Sequence, residues 1–126
     1  MAAYTTIDNP ELYFQNKIYT GNNTDDTAIT LDGDENMQPD WVWIKERDDT
    51  NAHYIFDSVR GIDKQLQSNA TAAEYDYSGD SGRTLKSFNS DGFTLGTGAG
   101  VNGSGELFVA WCWKANGSGS SNTDGT

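Results

Sequence analysis

Two stretches, Trp41-Val42-Trp43-Ile44 and Trp111-Cys112-Trp113, constrain this chain more than any other. Successive side chains of a β-strand point to opposite faces, so Trp41 and Trp43 share one face while Val42 and Ile44 share the other. Both faces are apolar, which predicts a strand covered on both sides. The run turns charged at Lys45-Glu46-Arg47, crosses a polar turn at Asp48-Asp49-Thr50-Asn51 and returns at Tyr54-Ile55-Phe56. In the last apolar stretch Val109, Trp111 and Trp113 face one way, and Phe108, Ala110 and Cys112 the other. The two tryptophan strands are therefore expected at the centre of one sandwich core. Trp41, Trp43, Phe56, Phe93, Trp111 and Trp113 are its expected buried aromatics, with tryptophans meeting across the two layers.

Further strands are expected at 17–20, 27–31, 40–46, 53–57, 64–68, 84–88, 93–95 and 106–114, separated by turns rich in Gly, Asn and Asp such as Asp91-Gly92. Many short strands without a long helical period predict an all-β fold, a two-layer antiparallel β-sandwich; a small closed barrel is the runner-up. The length of 126 residues suits one domain. Asp8-Asn9-Pro10-Glu11 has the form of a capping box and predicts a helical turn over 10–14, from which Leu12, Tyr13 or Phe14 packs onto the sandwich. Asn69 to Glu74 has the composition of one further helical turn. The stretches 75–82 and 96–105 read as polar, glycine-rich loops. The expected organisation is an N-terminal arm at 1–16, a sandwich at 17–114 and a Gly/Ser/Asn linker at 115–126, which implies that the natural protein continues beyond it.

The formal net charge is −11. A phosphate backbone or an anionic membrane surface requires a basic footprint, so nucleic acid is not an expected partner. No apolar run approaches the ~20 residues of a membrane span, and the N-terminus lacks a signal pattern. Membrane insertion is not expected, and the chain should stay cytoplasmic or leave the cell within an assembled particle. The single cysteine, Cys112, alternates with tryptophans and reads as a small buried hydrophobe.

Several motifs fail in context. Gly79-Asp80-Ser81-Gly82 matches a serine-protease nucleophile loop, but the one histidine, His53, lies in an unrelated setting. Gly98-x-Gly100-x-x-Gly103 has the letters of a dinucleotide fingerprint and reads as a mobile hairpin loop, since no helix is expected to follow. Asp32-x-Asp34-x-Asn36 starts like an EF-hand, yet Met37 and Trp43 stand where Gly and Glu are needed. No cofactor is expected beyond a loosely bound calcium ion held by Asp25, Asp26, Asp32, Asp34 or Glu35. One His and one Cys cannot make the usual zinc set. No two carboxylates are marked as a catalytic pair, so the chain is read as a non-enzyme. Asp57 and Arg60 flank a turn and are expected to pair; with Tyr75 and Tyr77 they are the candidate ligand-binding residues.

The blocks YFQNKIYTGN, QPDWVWIKERD, HYIFDSVRG, LQSNATAAE, SFNSDGFTLG and LFVAWCWKANGSGSSNTDG, in this order, resemble a family of tailed-phage virion proteins common in marine phages. The resemblance implies a tail-fibre or other appendage component with jelly-roll domains of the concanavalin A-like lectin type. It implies a structural module that anchors a fibre to the particle, with other virion proteins and copies of itself as partners, made in the host cytoplasm and located in the virion. It transfers no catalytic or ligand residue. The alternative is a lectin-like domain contacting a host-surface glycan, with Trp43, Trp113, Tyr75 and Tyr77 as platform candidates.

Overall fold

The computed structural model describes residues 9–115. Half of the expected arm, 1–8, and all but the first residue of the expected linker lie outside this range. The described chain forms β1 (Phe14–Thr20), β2 (Thr27–Thr30), β3 (Trp41–Glu46), β4 (Tyr54–Asp57), β5 (Gly61–Leu66), β6 (Tyr75–Asp76), β7 (Leu85–Asn89), β8 (Gly92–Leu95) and β9 (Leu107–Trp113). Two antiparallel sheets pack as a sandwich: a six-stranded sheet in the order β1-β9-β3-β4-β5-β6 and a three-stranded sheet in the order β2-β8-β7.

The core lies between these layers. The six-stranded sheet contributes Tyr19, Val42, Ile44, Phe56, Phe108, Ala110 and Cys112, and the smaller sheet contributes Ile29, Leu85, Phe93 and Leu95. Tyr19 bridges the layers: its ring stacks on Phe108 at 5.2 Å and meets Phe93 edge-on at 6.5 Å. Its hydroxyl donates to the Val101 carbonyl at 2.7 Å, and burial raises its pKa well above the ordinary value. The buried Asn102 amide holds three loops together. It donates to the carbonyls of Thr24 (3.0 Å) and Gly96 (2.8 Å) and accepts from the Asn22 N–H (3.0 Å).

The alternation expected in β3 and β9 is present, but its sense is reversed. Val42, Ile44, Phe108, Ala110 and Cys112 are fully buried, whereas Trp41 is 44% exposed and Trp43, Trp111 and Trp113 are half-buried. The four tryptophans are therefore not core residues, and they do not meet across the sandwich. They lie side by side on the outer face of one sheet. The physical reason is space: the small and branched side chains of Val42, Ile44, Ala110 and Cys112 leave room for Phe56, Phe93 and Phe108 between close-packed layers. Phe56 and Phe93 are buried as expected.

Other boundaries also differ. The capping box gives only a short 3-10 turn, Pro10–Leu12, with Asn9 Oδ1 accepting from the Glu11 N–H at 3.1 Å. Leu12 and Tyr13 stay exposed, and Phe14 already belongs to β1, whose expected start was residue 17. Its pairing with β9 through Phe14↔Trp113 supplies backbone bonds that local sequence does not announce. No helix forms over 69–74. The expected loop at 75–82 contains β6 and a 3-10 turn (Ser78–Asp80), and the expected glycine-rich loop at 96–105 contains the helical turn α1 (Ala99–Asn102). Gly98 accepts from the N–H groups of Val101 and Asn102, so this segment is an ordered turn, not a mobile hairpin loop. Four residues between antiparallel strands do not form the helix of a dinucleotide site.

Candidate functional site

The outer face of the six-stranded sheet is a grid set by strand register. One row runs Phe14, Trp113, Trp41, Asp57; the next runs Asn16, Trp111, Trp43, Ile55; a third runs Ile18, Val109, Lys45. Directly opposed residues share a face and touch. Phe14 packs on Trp113 at 4.9 Å, Trp41 on Trp113 at 5.6 Å, and Trp43 edge-on against Trp111 at 5.7 Å. Tilted and edge-on rings suit the aromatic quadrupole and fix the side chains in place. Trp43 Nε1 donates to His53 Nδ1 at 3.0 Å, which orients both rings. Trp43, His53, Trp111 and Trp113 line a shallow, almost wholly apolar hollow of about 440 Å³. Ile18, 61% exposed, extends the apolar surface toward the sheet edge.

One corner of this face is charged. Asp57 stands beside Trp41 and pairs with Arg60, whose Nε lies 2.6 Å from Asp57 Oδ2; Arg60 Nη1 reaches Glu74 Oε2 at 2.7 Å. Asp57 Oδ1 also accepts from the N–H of Arg60 at 2.8 Å, which closes the turn into β5. The pair therefore has a structural task and sits at the edge of the aromatic grid.

Tyr75 and Tyr77 lie elsewhere. Tyr75 opposes Gln65, whose side chain points inward, so it shares the inner side of the sheet. The two tyrosine rings stack at 6.5 Å. The four candidate ligand residues thus divide between two places. Sequence reasoning missed Gln65, a buried polar residue in an exposed-looking strand. It also missed the outward tryptophan face. A signal for that face was present: Ala, Cys, Val and Ile are more often fully buried than Trp, which favours the Val42/Ile44 and Ala110/Cys112 phase as the core.

The remaining motif residues are engaged otherwise. Ser81 donates to Asp63 at 2.9 Å, while His53 is held by Trp43. Lys86 bridges Asp25 and Asp26, each at 2.8 Å, and Lys17 pairs with Asp32 at 2.8 Å. These contacts lower the pKa of Asp25 and Asp32 through hydrogen bonds to the lysines. Among the described residues no group of three or more His, Cys, Asp or Glu is placed to hold a metal ion. Burial pushes the Cys112 thiol pKa up to about 12, which keeps it protonated and inert. No described helix is long and apolar enough to cross a membrane.

No curated protein and no solved structure matches this chain. A family model described as a domain of unknown function, DUF7483, matches residues 9–126, and the chain belongs to that family.

Proposed function

We propose that this domain is a non-catalytic attachment module of a phage virion appendage, docking on another virion protein through the outer face of its six-stranded sheet. The observation that carries the reading is the contiguous grid of Phe14, Trp113, Trp111, Trp41 and Trp43 on a rigid scaffold. A contiguous apolar patch on an outer surface marks an interaction site, and tryptophan is favoured as an anchor at the centre of protein interfaces. A stable contact of this kind buries roughly 1,200–2,000 Å² in total. The virion setting comes from the sequence resemblance. In this reading the domain acts on the particle surface or tail, is made in the host cytoplasm, needs no cofactor and inserts into no membrane. A jelly-roll path belongs to the same proposal. It is supported by the chain passing from β1 to β2, β2 to β3, β6 to β7 and β8 to β9 between the two sheets.

A second reading, a lectin-like domain binding a host-surface glycan, is favoured by one observation: Trp41 is exposed directly beside Asp57. Sugar platforms combine an aromatic plane with adjacent polar groups. The test uses residues 1–126, particles lacking the appendage and immobilised host glycans, with a Trp41→Ala/Trp113→Ala variant alongside. Saturable binding to particles that the variant loses while remaining folded supports docking. Undiminished particle binding by the variant removes the face from the proposal. Binding to glycans alone favours the lectin reading, and self-association in solution transfers the face to a second copy of the chain.

A further inference from the structure

A second feature lies on the other side of the sheet from the tryptophan grid. Gln65 on β5 is fully buried, and neither its amide nitrogen nor its amide oxygen has a hydrogen-bond partner among the described residues. An unpaired buried amide is costly, and natural folds leave few of them. Gln65 borders a recess of about 170 Å³ whose other walls include Tyr54, Tyr77, Arg83, Thr84 and Gly100. Gly100 lies so close to Tyr54 that a Cβ there would come within 2.5 Å of its ring, so the absence of a side chain at 100 is what lets Tyr54 lie against this wall. Burial raises the Tyr54 pKa, so its phenol keeps its proton.

The chemistry of the walls restricts the ligand. Gln65, Tyr54, Tyr77 and Thr84 each carry groups that both donate and accept, while Arg83 only donates. A carboxylate would satisfy the donors and leave the Gln65 oxygen unpaired. A simple amide would match Gln65 but carries too few polar groups for the others. A polyhydroxyl molecule offers donors and acceptors together, and its C–H face suits the tyrosine rings. The recess holds more than a single water yet falls below the roughly 300–1,000 Å³ of drug-sized sites. It therefore fits one small unit and not an extended chain.

We propose that Gln65 forms the floor of a site for a vicinal diol as carried by a single pyranose unit, either a free monosaccharide or the terminal residue of a glycan. The site is independent of docking through the tryptophan face. The full chain is titrated with glucose, galactose and mannose, with oligosaccharides ending in each, and with acetamide as an amide control. Binding is followed by saturation-transfer NMR and by shifts of the Tyr54 and Tyr77 resonances. Gln65→Leu keeps the volume and removes both hydrogen-bonding atoms. It should weaken saccharide binding by at least about tenfold while the folding midpoint stays or rises, because the unpaired amide is gone. Trp41→Ala should leave this binding unchanged, which separates the site from any glycan platform on the outer face. Tyr77→Ala, at a half-exposed position, decides the matter if Gln65→Leu does not fold. Monosaccharide binding without gain from longer chains identifies a free sugar, and preference for oligosaccharide ends identifies a glycan terminus. Response to acetamide alone, no response to any saccharide, or equal binding by wild type and the recess variants overturns the proposal.

Discussion

Trp41 and Phe56 are neighbours on paired strands, yet their energetic roles are opposite. Phe56 is fully buried between the layers, and truncating it to Ala should cost about 3–5 kcal/mol through lost transfer energy and a residual cavity. Trp41 is 44% exposed and packs mainly on Trp113, so Trp41→Ala should cost only about 1–2 kcal/mol. Urea unfolding of the two variants checks this directly. Similar losses would mean that the tryptophan face is covered and not free. At this scale the sequence showed which side chains share a face but not which face is inside. Glu46 sits in the buried phase, 1% exposed, with Asn51 donating to its carboxylate, while Lys45 carries a charge in the tryptophan phase, so charge does not separate the two phases.

At the scale of elements, alternation and turn chemistry placed the strands whose signal is local. β3, β4, β8 and β9 lie within a residue or two of expectation, and Asp91-Gly92 marks the turn into β8. Elements defined by distant partners were not legible. β6 is two residues long and exists through the pairs Lys64↔Asp76 and Gln65↔Tyr75. β5 begins at Gly61, three residues before its apparent start, where a positive φ of 97° and a register shift opposite β4 bend the strand. The candidate site shows the same division. The Asp57–Arg60 pair could be read from four adjacent letters, whereas the Gln65 recess depends on β4, β5, α1 and the connecting residues Tyr77, Arg83 and Thr84 converging.

For the whole molecule, acidity gives a prediction with a definite sign. Lys86, Lys17 and Lys64 hold Asp25, Asp32 and Asp76 below the usual carboxylate range, and Asp76 falls to about 2 through hydrogen bonds from Lys64 and Ser78. Each contributes stability that is present above the unfolded value of 3.8 and lost as pH falls through the folded value. Glu106 has the opposite sense. Desolvation first, then repulsion from Glu46, Asp48 and Asp49, raises its pKa, so its contribution is present in acid and lost as pH rises. Stability should decline from about pH 4 toward pH 2. Glu106→Gln should raise the urea midpoint at neutral pH and leave it unchanged in acid. Asp25, Asp32 and Asp76 are at least half-exposed, so salt should flatten the decline in acid. A midpoint insensitive to pH over this range would show that the ion pairs contribute nothing.

β1 is the outermost strand of the larger sheet, and its first residue, Phe14, lies opposite Trp113, the last residue of β9. Tension applied through residues 14 and 113 therefore acts across the hydrogen bonds one pair at a time. This is a peeling geometry, in which the load never falls on the whole ladder at once. A sandwich that resists denaturant should yield first at β1 under low force, exposing Tyr19 and opening the core from its edge. Pulling single molecules between these two points should show an early, small extension of one strand before the main unfolding event. A single high-force rupture would mean that contacts beyond the β1–β9 ladder carry the load.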